Sequence, residues 1–150
     1  MRTPAFTLFV LALTATASAQ TPVPELKWGP APPFFPAGAR FAVLQGDPGQ
    51  TGVFTVRLEM PAGYTIRSHF HSTDEHVTVV SGTLILGMGD SLHTQGAHAL
   101  AAGAFITVKA QEHHFAIARG KTVVQVHGEG PFAITYINPK DDPRNAPPRP

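Results

Sequence analysis

Apolar and polar residues alternate with a period of two through much of this chain. In "GVFTVRLEM", Phe54, Val56, Leu58 and Met60 fall on one face and Val53, Thr55, Arg57 and Glu59 on the other. That spacing predicts a half-buried β-strand. Further runs follow in "RFAVLQ", "HVTVVSG", "TLILGMG", "AFITV", "HFAIA", "TVVQVHG" and "FAITYIN", separated by turn signals such as Gly46-Asp47-Pro48-Gly49, Pro61-Ala62-Gly63 and Ser81-Gly82. Eight or more short strands at near-even spacing predict an all-β antiparallel sandwich or barrel. Only residues 91–102 leave room for a brief helical turn. A chain of 150 residues suits one domain, and it carries no convincing internal repeat.

The flanks read differently. Residues 1–19 combine Arg2, an apolar run from Phe6 to Leu13, and the small residues Ala17-Ser18-Ala19. This is the pattern of a secretory signal cut after Ala19, which places the mature protein in the periplasm or outside the cell. The run is far too short to span a bilayer. Residues 20–36 form a proline-rich arm that cannot be helical, yet Leu26, Trp28, Phe34 and Phe35 give it something to bury. Residues 139–150 form a second proline-rich segment, expected to be loosely ordered. The strands occupy 37–138 between them.

Charge and composition narrow the function. Only 14% of residues are charged, and loss of Arg2 leaves ten Lys and Arg against ten Asp and Glu. No basic stripe tracks a phosphate backbone, so nucleic acid is not an expected partner; nor is a membrane after cleavage. There is no cysteine, so any transition-metal site must use nitrogen and oxygen donors. A cysteine nucleophile, a G-x-S-x-G elbow, a phosphate loop and a dinucleotide fingerprint are all absent.

The chemistry concentrates in "GYTIRSHFHSTDEHVTVVSG", residues 63–82. His69 and His71 share one strand face, with Phe70 on the other. Ser72-Thr73-Asp74 is a turn, so Glu75 starts the returning strand and can stand opposite the two imidazoles. A lone His-x-His is ordinarily a surface strand; the glutamate and a glycine at each end point instead to metal binding.

The spacing of Gly63, His69, His71, Glu75 and Gly82 resembles the first motif of the cupin superfamily without deviation. Gly103, Lys109, Ala110, Gln111 and His114 have the spacing of the second motif. Lys109 stands where that family usually has Pro, Gln111 where it usually has Gly, and Ala118 where an Asn often closes the motif. The stretch "VVQVHGEGPFAITYINPKDDPR" also resembles a group of small bacterial cupins. The resemblance spans residues 40–138.

It implies a double-stranded β-helix, the cupin jelly-roll barrel, with one divalent transition metal (Fe, Mn, Ni, Cu or Zn) held by His69, His71, Glu75 and His114. Two positions on the ion would be left for water, oxygen or substrate. By motif spacing His114 is the ligand; strand alternation alone leaves His113 as its rival. A metal-dependent enzyme of oxygenase type acting on a small organic molecule is then expected, with Glu75 doubling as a base. The alternative is a non-enzymatic module that binds a small ligand or a metal. Cupins commonly form homodimers, and the aromatic arm is one candidate contact. Outside the motif, His76 is expected on the opposite strand face, Asp74 in a turn, and Gln125 and His127 together on a solvent face. A minority reading turns Gln125 and His127 inward to orient substrate. Tyr64, Arg57 and Arg67 are expected at the surface, with a lesser chance of meeting an anionic substrate, and His93 and His98 in exposed loops.

Overall fold

The computed structural model describes residues 25–146. The expected signal segment, the first residues of the arm and the last four residues of the chain lie outside them. Nine strands form among the described residues: β1 (Gly29–Pro30), β2 (Arg40–Gln45), β3 (Gly52–Met60), β4 (Thr65–Phe70), β5 (Glu75–Met88), β6 (His98–Ala101), β7 (Phe105–Val108), β8 (His114–Gly130) and β9 (Thr135–Tyr136). All pairings are antiparallel. No helix among these residues is long and apolar enough to cross a membrane.

The alternation in β3 is realised as expected. Phe54, Val56, Leu58 and Met60 are buried, and Thr55, Arg57 and Glu59 face outward. The other expectation, of separate short strands, needs correction. Residues 75–88 and 114–130 are two long strands that pair with each other along nearly their whole length. Each takes part in two sheets. The first half of β5 pairs with β7 and the second half with β6. The first half of β8 pairs with β4 and the second half with β3. The result is two sheets folded over one core, sharing a bent central ribbon.

The bend is built at Ser81–Thr83, where the β5–β8 register shifts twice. Gly82 takes φ +79°, and a Cβ there would run into the Lys121 carbonyl oxygen and Thr122. Thr122 is fully buried; its hydroxyl donates to the Thr83 carbonyl at 3.0 Å and accepts from the Thr83 N–H at 3.3 Å. The "SG" that reads as a strand break is therefore a bulge inside a continuous strand.

Two segments differ from expectation. Residues 91–102 hold no helical turn; a bend leads into β6, which pairs with residues 83–86 of β5. The C-terminal segment forms two short 3-10 turns (Pro139–Asp141 and Pro143–Asn145) whose first N–H groups are capped by Asn138 and Asp142. Arg144 ties this segment back by donating to the Ile134 carbonyl at 3.2 Å.

The arm closes one end of the barrel. β1 pairs with β2, and Phe35 joins the buried core with Phe34 packed against it. Two barrel tyrosines hold the arm by its main chain. Tyr64 donates to the Pro36 carbonyl, and Tyr136 donates to the Phe34 carbonyl at 2.8 Å. Burial pushes both phenols above their usual range, so both stay protonated donors. Tyr64 is thus a structural latch, not a surface group at a substrate mouth. Phe35 is buried within the chain and Phe34 is partly buried against the same core.

The bulge makes a separable prediction. Gly63 also has positive φ (+77°), but no neighbouring atom lies near its missing Cβ. Gly63→Ala should cost about 1–2 kcal/mol, the torsional term alone. Gly82→Ala adds a backbone collision and should cost upward of ~3 kcal/mol. Equilibrium urea unfolding of the two variants checks this; equal losses would refute the steric account.

Candidate metal centre

Four side chains converge inside the barrel near its closed end. His69 sits in β4, His71 one residue past it, Glu75 at the first position of β5 and His114 at the first position of β8. The register brings them together: His69 is paired directly with His114, and their ring centroids lie 4.1 Å apart. The turn at Ser72–Asp74 brings Glu75 back, so that its Oε2 lies 3.6 Å from His71 Nε2 and 3.4 Å from His114 Nε2. Asp74 holds that turn by accepting from the Ala110 N–H and from Lys109, each at 2.8 Å.

Each imidazole is oriented by a backbone carbonyl. His69 Nδ1 contacts the Arg67 carbonyl at 2.7 Å, His71 Nδ1 the Ala133 carbonyl at 2.8 Å, and His114 Nδ1 the Glu112 carbonyl at 3.0 Å. A carbonyl can only accept, so all three Nδ1 atoms carry the proton and all three Nε2 lone pairs face inward. One ring nitrogen from each residue lies within 4.8 Å of the others. His71 Nε2 is buried with no hydrogen-bond partner among the described residues. A buried, unpaired nitrogen lone pair is costly unless something electrophilic meets it. The three-histidine group fits a metal ion on these grounds.

The electrostatics agree. Burial pushes His69 down to about 3, helped by the neighbouring rings of His114 and His71. Burial also lowers His71. For Glu75, burial acts upward, but the adjacent imidazoles, His71 first, overcome it and bring the carboxyl down to about 2. For His114 burial acts downward and is outweighed by the Glu75 carboxylate, so its net shift is upward. The cluster is thus a carboxylate facing two imidazoles that burial keeps neutral, His69 and His71, and a third, His114, that the carboxylate draws toward its protonated form.

The two adjacent histidines differ in exposure and direction. His114 is 1% exposed and faces the chamber. His113 points away, pairs with Asp90 at 2.6 Å and stacks on Phe70. Gln125 and His127 lie on the outer face, opposite buried Val124 and Val126, and Gln125 accepts from Arg57 at 3.1 Å. The inward reading for that pair is therefore corrected. His76 is also outside, and His93 and His98 are exposed.

The chamber beside the cluster measures about 40 Å³, room for a few water-sized positions. Among the described residues its polar lining is His69, His71, Glu75 and His114; the other lining residues are apolar. Two wall residues were invisible to motif reading. Phe132 stacks on His71 at 4.7 Å and 16°, and Phe35 comes from the arm. Neither has a spacing signal. Only the apolar character of the arm hinted at Phe35.

A family described as the ChrR cupin-like domain matches residues 16–133. The chain belongs to this cupin family. Among solved structures, the cupin resembles an acetylacetone dioxygenase from Acinetobacter johnsonii at 18% identity, with a TM-score of 0.62, over 90% of this chain and 88% of that one. It resembles the polyketide cyclase RemF from Streptomyces resistomycificus at 18% identity and a TM-score of 0.58, over 70% and 75% of the two chains. An RmlC-like cupin from Shewanella frigidimarina aligns at 14% identity and a TM-score of 0.56, over 70% and 84%. At such identities the likeness is one of fold. No curated protein matches the cupin.

The buried histidines give the metal-free cupin an acid limit. Below the ordinary imidazole value of ~6.5 an unfolded chain takes up protons that folded His69 and His71 refuse, so stability falls with pH. Glu75 adds to the loss below its ordinary value, as pH falls toward about 2. His114 acts oppositely: its contribution is present below ~6.5 and lost as pH rises through its raised folded value. Urea unfolding of chelator-treated protein should show a loss of a few kcal/mol between roughly pH 6.5 and 4. A flat profile would contradict the buried, neutral state of His69.

Proposed function

We propose that this cupin is an exported metal-dependent oxygenase that acts on a small, neutral organic molecule. His69, His71, Glu75 and His114 together hold the divalent ion. The observation that carries the reading is the lining: among the described residues, every polar side chain of the chamber belongs to those four residues. Among the described residues no Lys or Arg lines it, so apart from the ion itself nothing in the walls would balance or hydrogen-bond a carboxylate or phosphate. A ligand with an apolar body and one or two oxygen donors suits these walls. The ion would supply Lewis acidity or one-electron chemistry. The protein's own contribution is to keep three lone pairs aimed inward, to exclude bulk water with Phe35, Phe132 and Ile134, and to accept a substrate proton at the Glu75 carboxylate. The acetylacetone dioxygenase resemblance is compatible with such a ligand; export is supported by the signal pattern of residues 1–19.

The small chamber and the pinned arm favour a second reading, capture of a metal or small ligand without turnover. An oxygen electrode separates the two. Protein loaded in turn with Fe, Mn, Ni, Cu or Zn is offered neutral 1,3-diketones and alkylphenols. Oxygen uptake with one of them supports the enzyme. No uptake with any metal, together with a ligand retained through purification, supports capture.

Two variants test the centre itself. His71→Ala should lower the metal content of the interior site at least tenfold, read by elemental analysis, and abolish turnover; full occupancy would remove the proposal. Phe35→Ala should enlarge the chamber, cost about 3–5 kcal/mol of stability, and shift the preferred ligand to a longer alkyl chain. An unchanged ligand-size profile would mean that Phe35 does not bound the site.

A further inference from the structure

A second pair of histidines stands on the outer face of the same ribbon. Strand alternation sends Glu75 inward and His76 outward, and sends Val126 inward and His127 outward. His76 and His127 are directly opposite each other in the β5–β8 pairing. Their rings lie 4.8 Å apart at 21°. On the other side of β5, Thr107 is paired with His76, and its hydroxyl meets His76 Nδ1 at 2.9 Å. That contact fixes the ring and leaves Nε2 free. Phe105 lies nearly parallel to His76, at 6.2 Å and 9°, and walls one side.

We propose that His76 and His127 form a second, solvent-facing site for a divalent transition cation, independent of the interior centre. Directly opposed residues in an antiparallel pair have Cβ atoms about 4.5–5.5 Å apart. Small side-chain rotations then let two imidazole nitrogens share one ion at about 2.0–2.1 Å each. Asp74 and Glu129 border the same open concavity. Asp74 is committed to Lys109 and the Ala110 N–H. Glu129 is exposed and borders the same concavity; its side chain would have to swing toward the pair to add a third donor, with water completing the shell. Two nitrogens and one oxygen select Cu(II), Zn(II) or Ni(II) over Mg or Ca. The sheet separates this pair from His69, His71 and His114, so one ion cannot serve both places.

Equilibrium dialysis of the full chain against Zn(II) near neutral pH, with Ca(II) as control, tests the proposal. Wild type should bind two equivalents and His127→Ala one. Glu129→Gln should weaken the outer equivalent about tenfold. A His69→Ala/His71→Ala variant should keep one equivalent that disappears when His127→Ala is added. With Cu(II), that double variant should show imidazole nitrogen coupling in its paramagnetic resonance spectrum, absent once His127 is replaced. His127→Asn, which preserves size and polarity, should behave like His127→Ala and guards against a folding artefact. If His127→Ala and His127→Asn leave the wild-type stoichiometry unchanged, or if Ca(II) binds as well as Zn(II), the proposal is overturned. Failure of the interior reading looks different: wild type would bind a single equivalent, kept by the double variant and lost with His127.

Discussion

The arrangement depends on the cost of placing three imidazoles and a carboxylate inside an apolar barrel. Taking such groups out of water is tolerable only where partners replace the solvent. Here the replacement is unequal. Each Nδ1 has a carbonyl, and the Glu75 carboxylate has imidazoles beside it, but the inner lone pair of His71 has no hydrogen-bond partner among the described residues. An inward cluster of this kind tolerates a cation better than it tolerates protons, and the downward shifts of His69 and His71 express that preference in another form.

The bent ribbon delivers these donors. β5 and β8 begin at Glu75 and His114, and both strands then run on into the opposite sheet. The two strand starts that carry Glu75 and His114 are held by the same long ladder that carries the core. Deforming the bulge at Gly82 would disturb the angle between the sheets and hence the distance across the chamber. Site geometry and barrel stability are therefore coupled through one backbone feature, distant in sequence from His114.

Much of this was legible in the residues. The spacing from Gly63 to Gly82 places His69, His71 and Glu75, because strand periodicity and one tight turn determine where those side chains go. His114 followed from the second motif's spacing despite its altered content. Gln111 shows why the alteration is tolerated: it adopts φ 64° where a glycine is usual, and its side-chain amide donates to the His71 carbonyl at 3.3 Å, beside the backbone N–H bond that any residue there would make. A glutamine in that region costs on the order of 1 kcal/mol, which the added contacts offset. Less could be read where partners are remote. Ser81-Gly82 looks the same locally whether a strand ends or bulges, and only pairing with Thr122 decides. Phe35 and Phe132 reach the site from segments with no periodic signal, through long-range packing that no local pattern encodes.

The way the arm is fastened has a consequence of its own. Tyr64 and Tyr136 grip carbonyl oxygens at Pro36 and Phe34, atoms that every amino acid possesses. Such a clasp is blind to side-chain identity. The residue that plugs the barrel can be exchanged over evolutionary time without unfastening the segment that carries it. Related chains can thus retailor what they admit while inheriting the same closure unchanged.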